Sequence, residues 1–96
     1  MILDQFNLAG KTAIVTGASR GLGKGMALAL AEAGADIVGV GVSDSATTGE
    51  AVETLGCRYL AITADLTDKS CVPDIVAQAK NTFGKIDILV NNAGTI

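Results

Sequence analysis

Residues 16–23, "TGASRGLG", follow directly on an apolar run at residues 13–15 and contain three glycines, Gly17, Gly21 and Gly23. A turn from a strand into a helix leaves the first helical N–H groups unpaired and exposes the positive end of the helix dipole, which suits a phosphate. Glycines permit the tight turn and let the backbone approach the ligand closely. The stretch therefore predicts a phosphate-binding turn, and the alternative is a glycine-rich turn without a ligand.

The rest of the chain alternates between strand and helix patterns. Short apolar, β-branched runs predict four strands, at residues 11–16, 36–40, 58–62 and 86–90. Amphipathic spacing predicts helices at residues 22–33, 50–55 and 73–83, each ended by a glycine, with a polar loop at 41–49. Strands that alternate with helices form parallel sheets through right-handed crossovers, so we expect an α/β fold in a single small domain.

Composition and charge restrict the class of partner. The chain is 49% hydrophobic and only 3% aromatic, which is typical of interleaved helices and parallel strands. A net charge of −3 without a basic stripe argues against nucleic acid. No apolar stretch approaches the roughly 20 residues of a membrane span, and the start lacks a signal-peptide pattern. We therefore expect a cytoplasmic protein with no membrane partner.

The cysteines and the absence of histidine restrict the chemistry. Cys57 and Cys71 do not form a C-x-x-C pair, and the chain contains no histidine. Zinc sites and Ser-His or Cys-His nucleophiles are therefore not expected, and the two cysteines are interpreted as reduced structural thiols. We expect no metal site.

Ligands of an open parallel sheet bind beyond the carboxyl ends of its strands, which makes "ADLTD" after the third predicted strand a candidate. Asp65 can accept a hydrogen bond from an exocyclic amine such as that of adenine, and the Leu66 N–H can donate to the adjacent ring nitrogen. Capping of the next helix is the alternative role, and Thr67 and Asp68 are equally suited to it.

The fourth predicted strand ends in "NNAG", residues 91–94. Asn91 and Asn92 can satisfy backbone groups of a loop, while Ala93 and Gly94 remove bulk where a ligand would pass. A plain turn that ends the sheet is the alternative interpretation.

Taken in this order, "TGASRGLG", "ADL" and "VNNAG" resemble the short-chain dehydrogenase/reductase family, from Leu8 onward. The resemblance implies a Rossmann-type parallel sheet with flanking helices. Residues 1–96 would form its amino-terminal dinucleotide-binding part, an incomplete doubly wound fold of about four β-α units. It also implies an NAD(P)-dependent oxidoreductase with a small-molecule substrate, assembled as a homo-oligomer, by family resemblance a tetramer. The implied cofactor-binding residues are Gly17, Ser19, Arg20, Gly21, Leu22 and Gly23 for pyrophosphate and ribose, Asp65 and Leu66 for adenine, and Asn92, Ala93 and Gly94 for the adenosine ribose and nicotinamide side.

Within the family, "MILDQFNLAGK", "GKGMALALAEAGADIVGV" and "KIDILVNNAG" are similar to the 2-deoxy-D-gluconate 3-dehydrogenase group, which implies a deoxygluconate-type sugar acid as substrate. The family's catalytic serine and Tyr-x-x-x-Lys pair have no counterpart in these residues. Tyr59 is the only tyrosine, lacks a lysine at that spacing and is interpreted as a packing residue. We therefore expect no catalytic residue and no activity from the 96 residues alone. A stand-alone dinucleotide-binding module and a structural partner that pairs through its fourth strand are the alternatives.

The choice between NAD and NADP depends on the end of the second predicted strand. An acidic residue there would bind the ribose hydroxyls of NAD, but the chain has Gly41, and Asp44 lies further on. Arg20 can instead pair with a 2′-phosphate, helped by the Ser43 hydroxyl. These residues favour NADP(H), whereas the resemblance to the sugar-acid group favours NAD(H), and both stay open.

Overall fold

The computed structural model describes residues 7–19 and 21–92, and over these residues the chain forms a parallel four-stranded sheet with helices on both faces. The elements in chain order are β1 (Thr12–Thr16), α1 (Gly21–Glu32), β2 (Asp36–Gly41), α2 (Ala46–Thr54), β3 (Tyr59–Thr63), a 3-10 turn (Lys69–Cys71), α3 (Val72–Phe83) and β4 (Ile88–Val90). The predicted α/β fold with a parallel sheet is confirmed. None of the described helices is long and apolar enough to cross a membrane.

The strand order is β3-β2-β1-β4. The chain moves outward from β1 through β2 to β3 and then returns to the other side of β1 to form β4. The pairs Ala13–Ile37 and Ala13–Ile88 show that β1 pairs in parallel with β2 on one side and with β4 on the other. The order reverses beside β1, and in open α/β sheets such a reversal opens a ligand crevice at the carboxyl ends of the strands.

Helices on both faces bury β1 along its whole length. Because successive side chains of a strand point to opposite faces, the core divides into two clusters. The cluster under α1 and α2 contains Ala13, Val15, Ala18, Ala27, Ala31, Ala35, Ile37 and Val52. The cluster under α3 contains Ile14, Val38, Val40, Ile62, Ile75 and Ala79. Each fully buried Val or Ile contributes about 1.5–3 kcal/mol of burial free energy, so the central strands carry much of the fold's stability.

The second helix differs from its prediction. α2 begins at Ala46 instead of residue 50, so the predicted polar loop is wrong for residues 46–49. The Asp44 carboxylate accepts a hydrogen bond from the Ala46 N–H at 2.9 Å, which satisfies a group at the start of the helix. Thr48 and Gly49 are buried against the rest of the fold. Local and tertiary contacts of these polar residues therefore support a helix that apolar spacing does not indicate.

The hydrogen bonds before α3 show which of the three candidate residues, Asp65, Thr67 and Asp68, acts as a cap. Asp68 accepts hydrogen bonds from the Ser70 N–H at 3.0 Å and the Ser70 hydroxyl at 2.6 Å, and so caps the 3-10 turn that leads into α3. The Asp65 carboxylate instead forms its hydrogen bonds within its own turn. Asp65 is therefore not needed as a cap.

The carboxylates of Asp36 and Asp87 link neighbouring strands at the amino ends of the strands, which is the end of the sheet opposite the predicted ligand crevice. Asp36 accepts from the Arg58 N–H at 2.8 Å and from the Arg58 guanidinium at 2.8 and 3.0 Å. The same guanidinium lies 4.6 Å from the centroid of the Phe83 ring, which adds a cation–π contact with α3. Asp87 accepts from the Thr12 N–H at 2.9 Å, and this hydrogen bond lowers the pKa of Asp87.

The outer edge of β4 has no partner strand among the described residues, because β4 pairs only with β1. Leu89, in the middle of this strand, is 66% exposed. Unpaired, apolar strand edges recruit other strands, so this edge favours association between copies of the chain.

We therefore expect the 96-residue chain to self-associate, as measured by sedimentation velocity over a range of concentrations. Leu89→Lys should shift the distribution toward monomer, because a lysine opposes edge pairing. Leu55→Lys is the matched control, since Leu55 is 43% exposed but follows α2 on the other side of the sheet. A wild-type chain that stays monodisperse and monomeric at high concentration, with a cooperative melt, would contradict this expectation.

Candidate functional site

The turn between β1 and α1 is built on glycines with positive φ. Gly17 has a φ of 68° and Gly21 a φ of 59°, in the left-handed region that favours glycine. The Gly17 N–H donates to the Val40 carbonyl at 2.8 Å, which ties the turn to the end of β2. α1 begins at Gly21, so the N–H groups of its first turn lie at the end of β1 without a partner inside the helix.

Gly23 marks the closest approach of α1 to the rest of the site. A Cβ at this position would overlap the Gly17 carbonyl oxygen and would lie 2.6 Å from Asn92 Nδ2. No side chain fits between these groups without a backbone shift. The residues after β1, at the start of α1 and after β4 therefore converge at one point.

The Thr16 hydroxyl joins the ends of β1 and β4. It accepts from the Asn92 N–H at 2.8 Å and donates toward the Val90 carbonyl at 3.3 Å and the Asn91 side-chain oxygen at 3.2 Å. Asn92 is half-buried as a result of this packing. The segment after β4 is thus held beside the glycine turn.

Asp65 follows the end of β3 and is exposed. Its Oδ1 accepts from the Thr67 hydroxyl at 2.7 Å and the Thr67 N–H at 2.9 Å. These two hydrogen bonds, the side-chain one first, lower the pKa of Asp65. The group is therefore an ionised acceptor at neutral pH, and its position at the sheet's carboxyl edge leaves it accessible to a ligand.

Within the part of the chain that the structure describes, two crevices reach the carboxyl ends of the strands. The larger, about 600 Å³, lies on the α3 side and is mostly apolar, with Thr16, Leu66 and Asn91 among its lining residues. The smaller lies between the glycine turn and the end of β2, and its lining includes Ser19 and Ser43. Ligand groups that enter either crevice would meet the ends of two or more strands.

The described members of the predicted site lie along the carboxyl edge of the sheet. Gly17, Ser19, Gly21, Leu22 and Gly23 form the turn and the start of α1, Asp65 and Leu66 follow β3, and Asn92 follows β4. Leu22 is 69% exposed, and Ser19 is half-buried. Arg20, Ala93 and Gly94 lie outside the described residues. Within residues 7–19 and 21–92, no group of three or more cysteines and carboxylates is arranged to hold a metal ion.

Thr48 is a site-supporting residue that the sequence analysis missed. It is fully buried in α2, and its hydroxyl donates to the Ala18 carbonyl at 2.8 Å. This hydrogen bond attaches the glycine turn to α2. A signal was available, because the serines and aspartate at residues 43–45 form a helix N-cap pattern that would have extended α2 to include Thr48.

The comparison with known families decides the family of the chain. The model of the short chain dehydrogenase family matches residues 11–96. The chain belongs to this family. It is 54% identical over 96 residues to the 2-dehydro-3-deoxy-D-gluconate 5-dehydrogenase of Dickeya dadantii and 53% identical to that of Escherichia coli K12. The expected resemblance to deoxygluconate dehydrogenases is thereby confirmed. Each alignment covers 100% of this chain and 38% of the relative, so the chain spans about two fifths of the length of these short chain dehydrogenases.

Solved structures of the short chain dehydrogenase family have the same fold. A short-chain type dehydrogenase/reductase from Mycobacterium marinum matches with a TM-score of 0.91 and 38% identity, over 100% of this chain and 40% of that one. Carveol dehydrogenase from Mycobacterium avium, solved in complex with NAD, matches with a TM-score of 0.87 and 30% identity, over 93% of this chain and 37% of that one. The sheet order and its flanking helices therefore form a Rossmann-like short chain dehydrogenase fold.

The Thr48 hydrogen bond can be tested by a pair of conservative substitutions. Thr48→Val keeps the shape but removes the donor to the Ala18 carbonyl, so the free energy of unfolding should fall by about 1–3 kcal/mol. Thr48→Ser keeps the hydroxyl and should preserve more of the stability. Chemical denaturation measures both, and equal stability of Thr48→Val and wild type would contradict a role for this bond.

Proposed function

We propose that this chain is the dinucleotide-binding part, residues 1–96, of an NAD(P)-dependent oxidoreductase that acts on a deoxygluconate-type sugar acid. The observation that carries the proposal is the convergence at Gly23, where a Cβ would overlap the glycine turn and approach Asn92. This geometry suits a cofactor whose pyrophosphate lies on the amino end of α1. The names of the sugar-acid relatives support the substrate class.

The pyrophosphate and its riboses would bind along residues 17–23. The unpaired N–H groups at the start of α1 and the positive end of its dipole attract a diphosphate. Gly17 and Gly21 take the conformations that such a turn requires, and Ser19 adds a hydroxyl beside it. Arg20 would contribute a positive charge, and Leu22 would cover the ribose.

The adenine and nicotinamide ends would bind at the ends of β3 and β4. Asp65 is an ionised acceptor for the exocyclic amine of adenine, and Leu66 offers its N–H and an apolar side chain. Asn92, with Ala93 and Gly94 from the sequence pattern, would flank the adenosine ribose and the nicotinamide side. The cofactor would supply the hydride chemistry, and this chain would orient it.

The chain contributes binding rather than proton transfer in this proposal. The 96 residues contain no Tyr-x-x-x-Lys pair, and the single tyrosine packs in β3. The whole enzyme would be a cytoplasmic homo-oligomer, a tetramer by analogy with the family, with a small-molecule substrate. A stand-alone dinucleotide-binding module is the alternative, because the described site residues account for ligand binding alone.

The proposal can be tested by measuring cofactor binding after substitution of each of two glycines in α1. Gly23→Ala should abolish binding of NAD+ and NADP+, because the new Cβ would displace the Gly17 carbonyl or Asn92. Gly25→Ala is the matched control, since a Cβ there meets nothing within 4 Å. Calorimetric titration measures both variants, and thermal melts verify that each is folded.

The wild-type chain should bind a dinucleotide but show no cofactor-dependent turnover of 2-dehydro-3-deoxy-D-gluconate. Failure of the wild type to bind either dinucleotide, or wild-type affinity of Gly23→Ala, would contradict the proposed site. Turnover by purified chain, absent from Gly23→Ala, would contradict its lack of catalytic residues.

Gly41 at the end of β2 and Arg20 favour NADP(H) over NAD(H) as the cofactor. This preference is tested separately from binding itself. The φ of Gly41 is not positive, and a Cβ there would lie 4.0 Å from the Gly17 N, so a side chain fits. Gly41→Asp should weaken NADP+ relative to NAD+ by about tenfold or more, because its carboxylate repels a 2′-phosphate. Gly41→Asn is the uncharged control, and Arg20→Ala should also weaken NADP+ selectively. Equal effects of Arg20→Ala on both cofactors would support NAD(H) as the cofactor.

A further inference from the structure

The ring of Tyr59 occupies a space that two glycines leave open. Tyr59 is the first residue of β3, and its ring contacts Gly39 of β2 and Gly49 of α2. A Cβ at Gly39 would overlap the Tyr59 hydroxyl group, and a Cβ at Gly49 would lie 2.8 Å from the ring atom Cδ2. The ring is therefore fixed between the sheet and α2.

The fixed ring places its hydroxyl on the segment between β2 and α2. The Tyr59 hydroxyl donates to Ser45 Oγ at 2.7 Å. Ser45 directly precedes α2, where serine side chains usually cap the helix, but its hydroxyl makes no such bond. The Asp44 carboxylate accepts from the Ala46 N–H instead. Ser45 is thus held by Tyr59 and not by the helix that it precedes.

Ser45 lines the smaller crevice, between the glycine turn and the end of β2. Because Tyr59 donates to it, Ser45 keeps its own hydroxyl hydrogen, which has no acceptor among residues 7–19 and 21–92. Ser19 and Ser43 also line this crevice, so among the described residues three serine hydroxyl groups surround it. The crevice itself measures only about 10 Å³, so an incoming anion would meet these hydroxyl groups at its mouth. The nearby Asp44 carboxylate accepts a hydrogen bond from the Ala46 N–H at the start of α2.

We infer that Tyr59 is a positioning residue for the selection of NADP(H), because it orients Ser45 as a hydrogen-bond donor to the 2′-phosphate. The inference rests on the proposed function, since it concerns the same dinucleotide. Tyr59 does not line the crevice itself and acts only through Ser45.

The protonation of Tyr59 fits this role. Burial is the main cause that raises the pKa of the Tyr59 phenol, so the group stays protonated and remains a donor at neutral pH. A 2′-phosphate forms charge-assisted hydrogen bonds that are roughly twice as strong as those of a neutral ribose hydroxyl. An oriented Ser45 therefore stabilises bound NADP(H) more than bound NAD(H).

The experiment is a double-mutant cycle on cofactor binding, with NAD+ and NADP+ titrated against wild type, Tyr59→Phe, Ser45→Ala and the double variant. Tyr59→Phe removes only the hydroxyl and keeps the ring against both glycines. Each single substitution should weaken NADP+ about three- to tenfold more than NAD+, as expected for one hydrogen bond. The double variant should be no weaker than Ser45→Ala, because Tyr59 acts through Ser45.

Two further variants separate positioning from general stability. Ser45→Thr keeps the hydroxyl and should retain the wild-type ratio of the two affinities. Thr54→Val removes the hydrogen bond from the Thr54 hydroxyl to the Glu50 carbonyl at the far end of α2, and should leave the ratio unchanged. Equal weakening of both cofactors by Tyr59→Phe, or additive effects in the double variant, would overturn this inference alone. A wild type that binds neither dinucleotide would overturn the proposed function and this inference with it.

Discussion

The contact between α1 and the end of β1 is the constraint on which the rest of the site depends. Gly23 leaves no room for a side chain between the helix, the Gly17 carbonyl and Asn92. This closeness keeps the unpaired N–H groups of the helix at the end of the central strand, where a bound anion would meet them. Two hydrogen bonds then fix the turn, one donated by the Asn92 N–H to the Thr16 hydroxyl and one donated by the Thr48 hydroxyl to the Ala18 carbonyl.

The fold could be predicted because its strongest signal is local. A strand buried on both faces must be apolar throughout, so β1 and β2 stand out as continuous runs, and the helices between them show apolar spacing. The start of α2 could not be predicted in the same way. Its first turn is held by Asp44 and buried at Thr48, and these contacts leave little apolar periodicity in the sequence.

In the candidate site, too, local sequence signals could be predicted, whereas contacts between distant elements could not. Glycine spacing predicted the turn, and the structure brings Gly17, Gly23 and Asn92 together as the motif implies. The hydrogen bonds Thr48–Ala18 and Tyr59–Ser45 instead join residues 30 and 14 positions apart, across different elements. No spacing pattern connects such pairs, because their contact exists only once helix and sheet have packed.

The pairing of Asp36 with Arg58, at the amino ends of β2 and β3, separates two tasks within one sheet. At the amino-terminal end of the sheet, the Asp36 and Arg58 side chains link β2 to β3, and the Asp87 carboxylate likewise links β4 to β1. The opposite edge keeps the glycine turn, Asp65 and the Ser45 hydroxyl, whose hydrogen-bonding capacity is not spent on strand pairing. Substitutions at the carboxyl end of the sheet can therefore change ligand preference without disturbing the hydrogen bonds that link the strands at the amino-terminal end.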